Sequence, residues 1–270
     1  MIDQHIHSNI SHDGKSSIKE HMEYAIGKGF KEITFTEHFD DYTGIETNLK
    51  PLDIENYKKV FDDSKDDNII KINFGIEIGL RPESYSLISN IVKNNKFDFI
   101  IGSSHITCGK DMAYDESFFE GLTYYEAIMK YFNEVLLNIK MYSDEFDVYG
   151  HLDYVIRYII KYYGNVITKI DYNEFKDILD EILSLLIKKG KGIEINTSGL
   201  RYGLEYPHPN IDILKRYKEL GGTIVTIGSD AHISSDIGSD FNVAYDMLKE
   251  AGFDYIALYH NRIPEFVKIK

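Results

Sequence analysis

Short apolar runs rich in β-branched residues alternate along the chain with longer segments in which apolar residues recur with helical spacing. The first pattern is typical of buried strands, and the second is typical of amphipathic helices that cover a sheet. Strands are predicted at residues 2–7, 32–38, 72–80, 97–105, 147–152, 192–197 and 223–229, with a weak eighth candidate at 255–259. This alternation predicts βα units around a parallel sheet.

Local signals mark the ends of the predicted helices. Ser17 and Glu20 have the spacing of a capping box at the start of an apolar helical face that runs to Phe30. Pro82 occupies a favourable first-turn position of a second helix. Further helices are predicted at residues 124–141, 172–189, 209–220 and 241–251. Glycines suited to a left-handed C-terminal cap follow three of the helices, at Gly190, Gly221 and Gly252.

The length of 270 residues is compatible with two small domains or with one α/β barrel. No linker rich in proline or serine divides the chain, which contains only five prolines. We therefore expect residues 1–270 to form a single α/β domain, a barrel of about seven strands. An open doubly wound sheet is the alternative, because periodicity alone does not distinguish the two.

The composition narrows the classes of partner. A formal net charge of −14 argues against a nucleic-acid-binding surface, which normally has a basic face. No apolar window approaches the roughly 18 residues that span a bilayer, and the N-terminus lacks the pattern of a signal peptide. The single cysteine, Cys108, excludes an internal disulfide and suits a reducing compartment. We expect a cytoplasmic protein without a nucleic-acid or membrane partner, and the sequence leaves its oligomeric state open.

Side chains that bind metals recur where the predicted strands end. They are His5, His7, His38, Glu77, His105, His151, Asp230 and His232, and Asp13 joins them from the first loop. In a parallel barrel, the carboxyl ends of all strands meet at one face. Imidazole and carboxylate ligands without thiolates suit Zn, Fe or Mn. Nine ligands are enough for two or three divalent ions, so the sequence predicts a multinuclear metal site at this face.

Some polar residues near these motifs are expected to have supporting roles. The histidines outside the pattern, which we expect at the surface or behind the ligands, are His12, His21, His208 and His260. Asp3 and Asp153 lie next to ligands in the sequence and are expected to orient ligand imidazoles. A structural role at the start of the first strand is the alternative for Asp3.

The metal-binding motifs occur in a characteristic order: Asp3-x-His5-x-His7-Ser8, Thr36-Glu37-His38, Gly75-Ile76-Glu77, Ser103-Ser104-His105, Gly150-His151 and Ser229-Asp230-Ala231-His232. This series spans residues 3–232 and resembles the polymerase and histidinol phosphatase (PHP) superfamily. The resemblance implies a distorted (β/α)7 barrel with three metal ions at the carboxyl ends of the strands. It assigns one ion to His5, His7, Glu77 and Asp230, a second to Glu77, His105 and His151, and a third to Asp13, His38 and His232. Some relatives have histidine in place of Asp13, and many have aspartate in place of Glu37.

Within the superfamily, the chain resembles the stand-alone histidinol-phosphate phosphatases at residues 150–157, 194–201 and 259–264. The resemblance implies dephosphorylation of L-histidinol phosphate to L-histidinol in histidine biosynthesis, by attack of a metal-bridging hydroxide. One alternative is a PHP phosphoesterase that acts on another phosphomonoester or on a phosphodiester. An alternative of a different class is a non-catalytic PHP interaction module.

Two arginines are the predicted phosphate ligands. Arg157 and Arg201 follow predicted strand ends, and a guanidinium presents paired donors that match the geometry of phosphate. Asp230, His232 or a metal-bound water could protonate the leaving group, and the sequence does not select among them. Aromatic loop residues could form a pocket for the substrate or simply pack; they are Tyr114, Phe118, Phe119 and Tyr202.

Overall fold

A computed structural model describes residues 1–66, 69–164 and 166–269 of the chain. Its strands are β1 (Ile2–Ile6), β2 (Glu32–Phe39), β3 (Lys71–Gly79), β4 (Phe99–Ser103), β5 (Ile106–Thr107), β6 (Lys110–Asp111), β7 (Val148–Tyr149), β8 (Gly192–Asn196), β9 (Val225–Gly228), β10 (Tyr255–His260) and β11 (Ile263–Lys268). Seven of them form one parallel sheet in the order β1-β2-β3-β4-β7-β8-β9. The seven predicted strands are therefore all present.

The seven-stranded sheet curls into a nearly closed barrel. Ile6 of β1 forms a parallel bridge with Ala231, which lies just beyond β9. Three backbone hydrogen bonds complete this seam, from His7 N to Ala231 O at 2.9 Å, from Asp230 N to His5 O at 2.8 Å and from Ala231 N to His5 O at 3.3 Å. The outer strands of an open doubly wound sheet do not meet in this way, so the barrel prediction is confirmed and the alternative is wrong.

Helices connect the barrel strands and pack their apolar faces against the sheet. They are α1 (Ile18–Gly27), α2 (Ile54–Ser64), α3 (Tyr85–Asn94), α4 (Tyr124–Tyr142), α5 (Ile156–Tyr163), α6 (Lys176–Lys188), α7 (Ser198–Arg201), α8 (Ile211–Glu219) and α9 (Phe241–Glu250). The capping box of Ser17 and Glu20 forms as predicted. Among the residues that the structure describes, no helix is both long and apolar enough to cross a membrane.

Three helices are not apparent from the sequence pattern. In α2 only Tyr57 and Phe61 are buried, so the apolar stripe of this helix is narrow. The other two, α5 and α7, contain eight and four residues, too few to establish a helical period. The helix predicted at 172–189 begins only at Lys176. Asp171 Oδ1 accepts a hydrogen bond from Asn173 N at 2.9 Å, and this local turn competes with an earlier helix start.

The weak eighth strand candidate lies outside the barrel sheet. It forms β10, which pairs with β11 in an antiparallel hairpin across the amino end of the barrel. Gln4 joins the two parts, because its Nε2 donates to Ala257 O at 2.7 Å and its Oε1 accepts from Tyr259 N at 3.1 Å. Tyr259 also stacks on Phe99 with ring centroids 5.0 Å apart. Burying a large apolar side chain contributes roughly 1.5–3 kcal/mol, so the hairpin stably covers this end of the barrel.

Candidate metal centre

The nine residues predicted to bind metal converge at the carboxyl end of the barrel. His5, His38 and Glu77 project from β1, β2 and β3, and the six others follow barrel strands or lie in the loop after β1. The side chains of His5 and Glu77 have no solvent exposure, whereas those of His232 and Asp13 are 23% and 36% exposed. The cluster therefore has a buried floor and an open rim.

Glu77 lies at the centre of the cluster. Five imidazole nitrogens lie 2.9 to 3.5 Å from its carboxylate: His5 Nε2, His7 Nε2 and His38 Nδ1 at Oε2, and His105 Nε2 and His151 Nε2 at Oε1. The two oxygens thus face different sets of imidazoles. This is the arrangement expected of a carboxylate that bridges two metal ions.

Asp230 faces the same two imidazoles as one oxygen of Glu77. Its Oδ1 lies 3.3 Å from His7 Nε2 and 3.8 Å from His5 Nε2. The backbone of Asp230 has φ of 55°, in the left-handed region that residues other than glycine seldom adopt. Such conformations persist where the surrounding structure enforces them, often at binding sites.

A third group of ligand atoms lies at the rim. His38 Nε2 and His232 Nε2 are 3.3 Å apart, and Asp13 Oδ2 lies 3.6 and 3.1 Å from them. Because His38 Nδ1 also faces Glu77 at 2.9 Å, this imidazole links the rim to the buried part of the cluster. The structure therefore brings all nine predicted residues together. The sets of ligand atoms that lie closest to one another overlap, because His7, His38 and Glu77 each belong to two of them: His7, His38 and His232; His5, His7 and Glu77; and His38, Glu77 and His105.

The spacing of these atoms suits metal ions. Two Nε2 atoms, of His105 and His151, lie 3.4 Å apart, close to the about 3.4 Å that separates ligand atoms of a tetrahedral ion with bonds near 2.1 Å. Several of the converging atoms are buried without a hydrogen-bond partner among the described residues: His5 Nε2, His7 Nε2, His38 Nδ1 and Glu77 Oε2. Unpaired buried polar atoms are costly, and a shared cation would satisfy them together. The residues present therefore fit a multinuclear metal group.

The electrostatics of the cluster also favour a cation. Burial opposes protonation of His5, but the carboxylates of Glu194 and Glu77 raise the pKa of this imidazole well above its ordinary value. Burial likewise opposes ionisation of Glu77, but the imidazoles of His5 and His105 hold the pKa of its carboxyl well below its usual range. Burial lowers the pKa of His7, which leaves this imidazole neutral. The ionised carboxylates that raise the proton affinity of His5 would also attract a divalent ion, which takes the place of the proton on the imidazole nitrogen when it binds.

Hydrogen bonds behind three imidazoles fix their orientation. His5 Nδ1 donates to Glu194 Oε1 at 2.5 Å, and His105 Nδ1 donates to Asp40 Oδ1 at 3.1 Å. His232 Nδ1 donates to a backbone carbonyl at 3.0 Å. With the proton held on Nδ1, each ring directs the lone pair of Nε2 into the cluster.

Glu194 and Asp40 hold the imidazoles of two predicted ligands, and sequence reasoning missed both. Glu194 is flanked by isoleucines in a fully buried strand, and a carboxylate in such a strand is the signal that could have identified it. Asp40 directly follows β2 and offers no comparable signal. Gly228 also matters, because a Cβ at this position would lie 2.3 Å from His5 Cβ and 2.4 Å from Glu194 Oε1. Only glycine lets β9 approach this pair so closely.

Asp3 and Asp153, which were expected to orient ligand imidazoles, have other partners. Asp3 accepts hydrogen bonds from Ser229 N and Gly238 N, both at 2.9 Å, so its role is the structural alternative. Asp153 accepts a hydrogen bond from His208 Nδ1 at 2.5 Å, and this imidazole is not one of the predicted ligands. The expectation was therefore wrong for both carboxylates.

The histidines outside the ligand pattern have separate positions. His12 lies at the rim, with its Nε2 3.9 Å from Asp13 Oδ2. His260 lies on β10 at the opposite end of the barrel. His208 is fully buried beside the site, whereas His21 is fully buried within α1. His21 fits the expectation of a position behind the ligands, because its ring faces the backbone of His7 and packs edge-on against Phe35.

Both arginines predicted to bind phosphate lie beside the predicted metal ligands. Arg201 Nη2 donates to Ser229 O at 2.6 Å and to Asp230 O at 2.8 Å. Its Nη1 is buried and has no hydrogen-bond partner among the described residues. An unpaired buried donor costs about 1–3 kcal/mol, so this nitrogen is suited to receive an anion.

The guanidinium of Arg157 is held on several sides. Its Nε donates to His208 Nε2 at 2.8 Å, and its Nη2 donates to Ser198 Oγ at 2.5 Å. The ring of Tyr202 lies 4.2 Å from the guanidinium carbon. Ser198 Oγ is in turn 3.0 Å from Asp230 Oδ2, so a single side chain separates Arg157 from the metal-binding cluster.

Only part of the expected aromatic pocket faces the site. Phe118 and Phe119 are 1% exposed and pack in the core, which was the alternative role considered for them. Tyr114 and Tyr42 line a cavity of about 350 Å³. This cavity lies beside the rim of the site, because the ring of Tyr42 in its wall packs edge-on against that of His12, with ring centroids 6.4 Å apart.

Comparisons with known proteins agree with this geometry. The model of the PHP domain family matches residues 3–198. A histidinol-phosphatase from Lactococcus lactis subsp. lactis is 33% identical over 261 residues, which cover 96% of this chain and 94% of that protein. A probable histidinol-phosphatase from Clostridium acetobutylicum is 32% identical over 250 residues, which cover 92% of each chain.

Solved structures resemble the whole barrel. The crystal structure of histidinol phosphate phosphatase from Lactococcus lactis subsp. lactis, complexed with Zn, L-histidinol and phosphate, matches with a TM-score of 0.84 and 29% identity. This match covers 98% of each chain. A putative histidinol phosphatase from Listeria monocytogenes shares the fold, with a TM-score of 0.74 at 19% identity over 90% of this chain and 99% of that one. The chain therefore belongs to the PHP domain family.

Proposed function

We propose that the protein is a metal-dependent phosphomonoester hydrolase that converts L-histidinol phosphate to L-histidinol and phosphate. The observation that carries the proposal is the position of two arginines beside a cluster of imidazoles that converge on one carboxylate. A relative with the same fold and extent contains Zn, L-histidinol and phosphate, which supports this substrate. We assign the reaction to histidine biosynthesis in the cytoplasm.

The proposed metal group contains two or three divalent ions. Glu77 would bridge two of them, and the sets of ligands would be His5, His7, Glu77 and Asp230 for the first, Glu77, His105 and His151 for the second, and Asp13, His38 and His232 for the third. Zn is the ion present in the solved relative, and imidazole with carboxylate also suits Mn and Fe. When bound, such ions lower the pKa of water and neutralise charge on phosphoryl oxygens.

Arg157 and Arg201 would bind the phosphoryl oxygens that do not face the metals. Arg201 supports this role with its unpaired buried Nη1, and Arg157 with its guanidinium fixed one side chain away from Asp230. Guanidinium donors match phosphate in geometry and in charge. They also supply local positive charge in a protein whose net charge of −14 repels an anionic substrate.

Asp230 and His232 are the groups that we propose for proton transfer. Asp230 Oδ1 and His232 Nδ1 are 3.5 Å apart, and the two side chains are 8% and 23% exposed. They therefore lie between the buried floor of the cluster and the open rim. His232 carries a ring proton on Nδ1, and Asp230 Oδ1 is close enough to relay that proton to an alcohol that leaves toward the rim.

The cavity beside the rim would hold the imidazole and the amine of the substrate. Its lining includes Tyr42, Asp111 and Tyr114. The carboxylate of Asp111 is nine-tenths buried and would pair with a protonated amine. Aromatic rings on the same wall offer a surface for a planar imidazole.

Metal-dependent phosphate release tests the proposed function. The protein is stripped with a chelator and reloaded with Zn, Mn or Fe before L-histidinol phosphate is added. We expect activity to return on loading, to be lost in Glu77→Gln and to persist in the control Glu205→Gln, whose side chain is exposed. If the parent protein releases no phosphate with any of the three ions, the proposal is wrong.

A further inference from the structure

Arg157 is the last member of a chain of buried hydrogen bonds that begins at the backbone. Asn210 N donates to Asp153 Oδ2 at 3.1 Å, and His208 Nδ1 donates to Asp153 Oδ1 at 2.5 Å. Arg157 Nε then donates to His208 Nε2 at 2.8 Å. Asp153 and His208 have no solvent exposure, whereas the guanidinium at the end of the chain is partly exposed.

The direction of these hydrogen bonds follows from the chemistry of the two ends. An arginine Nε can only donate, so His208 Nε2 must carry a lone pair and no proton. The single proton of the neutral ring is then on Nδ1, where the carboxylate of Asp153 accepts it. Asp153 therefore selects the one tautomer of His208 that can receive Arg157.

Backbone contacts fix the ring of His208 in place. Asn196 N donates to His208 O, and His208 N donates to Asn196 O, both at 2.8 Å. This bridge attaches His208 to the end of β8. A Cβ on Gly199 would lie 3.3 Å from His208 Cδ2 and 2.6 Å from Tyr206 O, so the small residue leaves room for the ring.

The contacts of Arg157 determine which of its donors remain for a ligand. Nε is used by His208 and Nη2 by Ser198, while the faces of the guanidinium meet the rings of Tyr202 at 4.2 Å and Tyr154 at 5.0 Å. Within the described part of the chain, the hydrogen bonds of Arg157 are made by Nε and Nη2, and Nη1 has no partner. A guanidinium that is already oriented loses less conformational entropy when it binds phosphate.

We propose that Asp153 and His208 are positioning residues that hold the guanidinium of Arg157 in the orientation that binds the phosphate of the substrate. This inference rests on the proposed function, because it assigns a purpose to a residue of the proposed phosphate site. Both residues are fully buried and are linked to the proposed phosphate site through Arg157, so they act through this arginine.

The variant Asp153→Asn tests this series of hydrogen bonds with little change in the shape of the side chain. The new amide keeps its carbonyl toward Asn210 N, because a backbone donor cannot change its proton, and it points its NH2 group at His208 Nδ1. His208 then moves its proton to Nε2, where it opposes the N–H of Arg157. We expect Asp153→Asn to weaken binding of inorganic phosphate to the metal-loaded protein and to lower kcat/KM, each about tenfold, with metal content unchanged.

The same change in an Arg157→Gln background distinguishes a positioning role of Asp153 from a general disturbance of the folded site. If Asp153 acts through Arg157, adding Asp153→Asn to Arg157→Gln changes phosphate affinity and kcat/KM less than about twofold. If the losses of phosphate affinity in the two single variants multiply in the double variant, Asp153 does not act through Arg157 and the inference is wrong. The inference is also wrong if Arg157→Gln binds phosphate as tightly as the parent. Titration calorimetry with inorganic phosphate measures the affinities without any assumption about the substrate.

A second pair of variants covers the case in which Asp153→Asn does not fold. His208→Gln keeps an acceptor for Arg157 Nε, whereas His208→Leu has none. We expect His208→Gln to bind phosphate at least about fivefold more tightly than His208→Leu, and equal affinities would contradict the inference. A parent protein that binds phosphate but does not hydrolyse L-histidinol phosphate refutes the proposed substrate alone, because these affinities still test the positioning role.

Discussion

Replacing Glu194 by glutamine should weaken metal binding, although Glu194 lies behind the ligands. Its Oε1 accepts from His5 Nδ1 at 2.5 Å, and its Oε2 accepts from His151 N and Asn196 Nδ2, both at 3.1 Å. A glutamine must place its NH2 group at one of these two positions. At either position the NH2 group meets a donor, so neither orientation of Glu194→Gln satisfies all the hydrogen bonds.

The size of the effect follows from these contacts. Leaving one buried donor unpaired costs about 1–3 kcal/mol. The conflict could also be relieved by moving the proton of His5 to Nε2, but this removes the lone pair that faces the metal. Either outcome weakens binding by about 10–100-fold, the range for changes behind metal-binding histidines, which is about 1.4–2.7 kcal/mol.

Competition with a fluorescent zinc chelator measures this effect directly. Zn affinities are compared for the parent, Glu194→Gln and the control Glu205→Gln, which alters an exposed glutamate shortly before His208 in the chain. The control should match the parent. A Zn affinity of Glu194→Gln within about twofold of the parent would refute the reasoning, because the conflict of donors would then cost almost nothing.

Other perturbations test separate parts of the account. Arg201→Gln removes the unpaired Nη1 and should raise KM for the phosphomonoester about tenfold in steady-state kinetics, and an unchanged KM would exclude Arg201 from the phosphate site. Gly228→Ala introduces a Cβ 2.3 Å from His5 Cβ and should lower the free energy of unfolding by about 1–3 kcal/mol in urea melts; unaltered stability would contradict the described packing. Burial lowers the pKa of His21 to about 4. As the pH falls, His21 is protonated in the unfolded chain before it is protonated in the folded protein. The free energy of unfolding therefore decreases below about pH 6.5, by about 2 kcal/mol at about pH 5 in metal-free protein. His21→Gln should lack this loss, and equal pH profiles of variant and parent would refute it.

The barrel and the gathering of the predicted ligands could be foreseen because they depend on local pattern and on one topological rule. Alternating strands and helices specify a parallel sheet, and the carboxyl ends of its strands share one face. His5, His38 and His105 could therefore be placed together without any knowledge of their distances. The closing bridge from Ile6 to Ala231 then distinguished the barrel from an open sheet, which periodicity could not do.

The supporting residues depend on contacts between distant parts of the chain. Glu194 meets His5 across 189 positions, and His208 meets Asp153 across 55. Nothing in the period of a strand or in the identity of a neighbouring residue indicates such a pairing. For the same reason Asp153 was expected to orient a metal ligand, whereas the fold directs it to the histidine that holds Arg157.

The most direct test of the central claim is the specificity of the metal-loaded protein. Values of kcat/KM are measured for L-histidinol phosphate and for a panel of other phosphomonoesters and phosphodiesters. The account predicts that L-histidinol phosphate exceeds the others by about a hundredfold or more, which is about 2.7 kcal/mol of discrimination in the transition state. Activity that is spread evenly over the panel, or that is highest for another phosphoester, would contradict the proposed substrate.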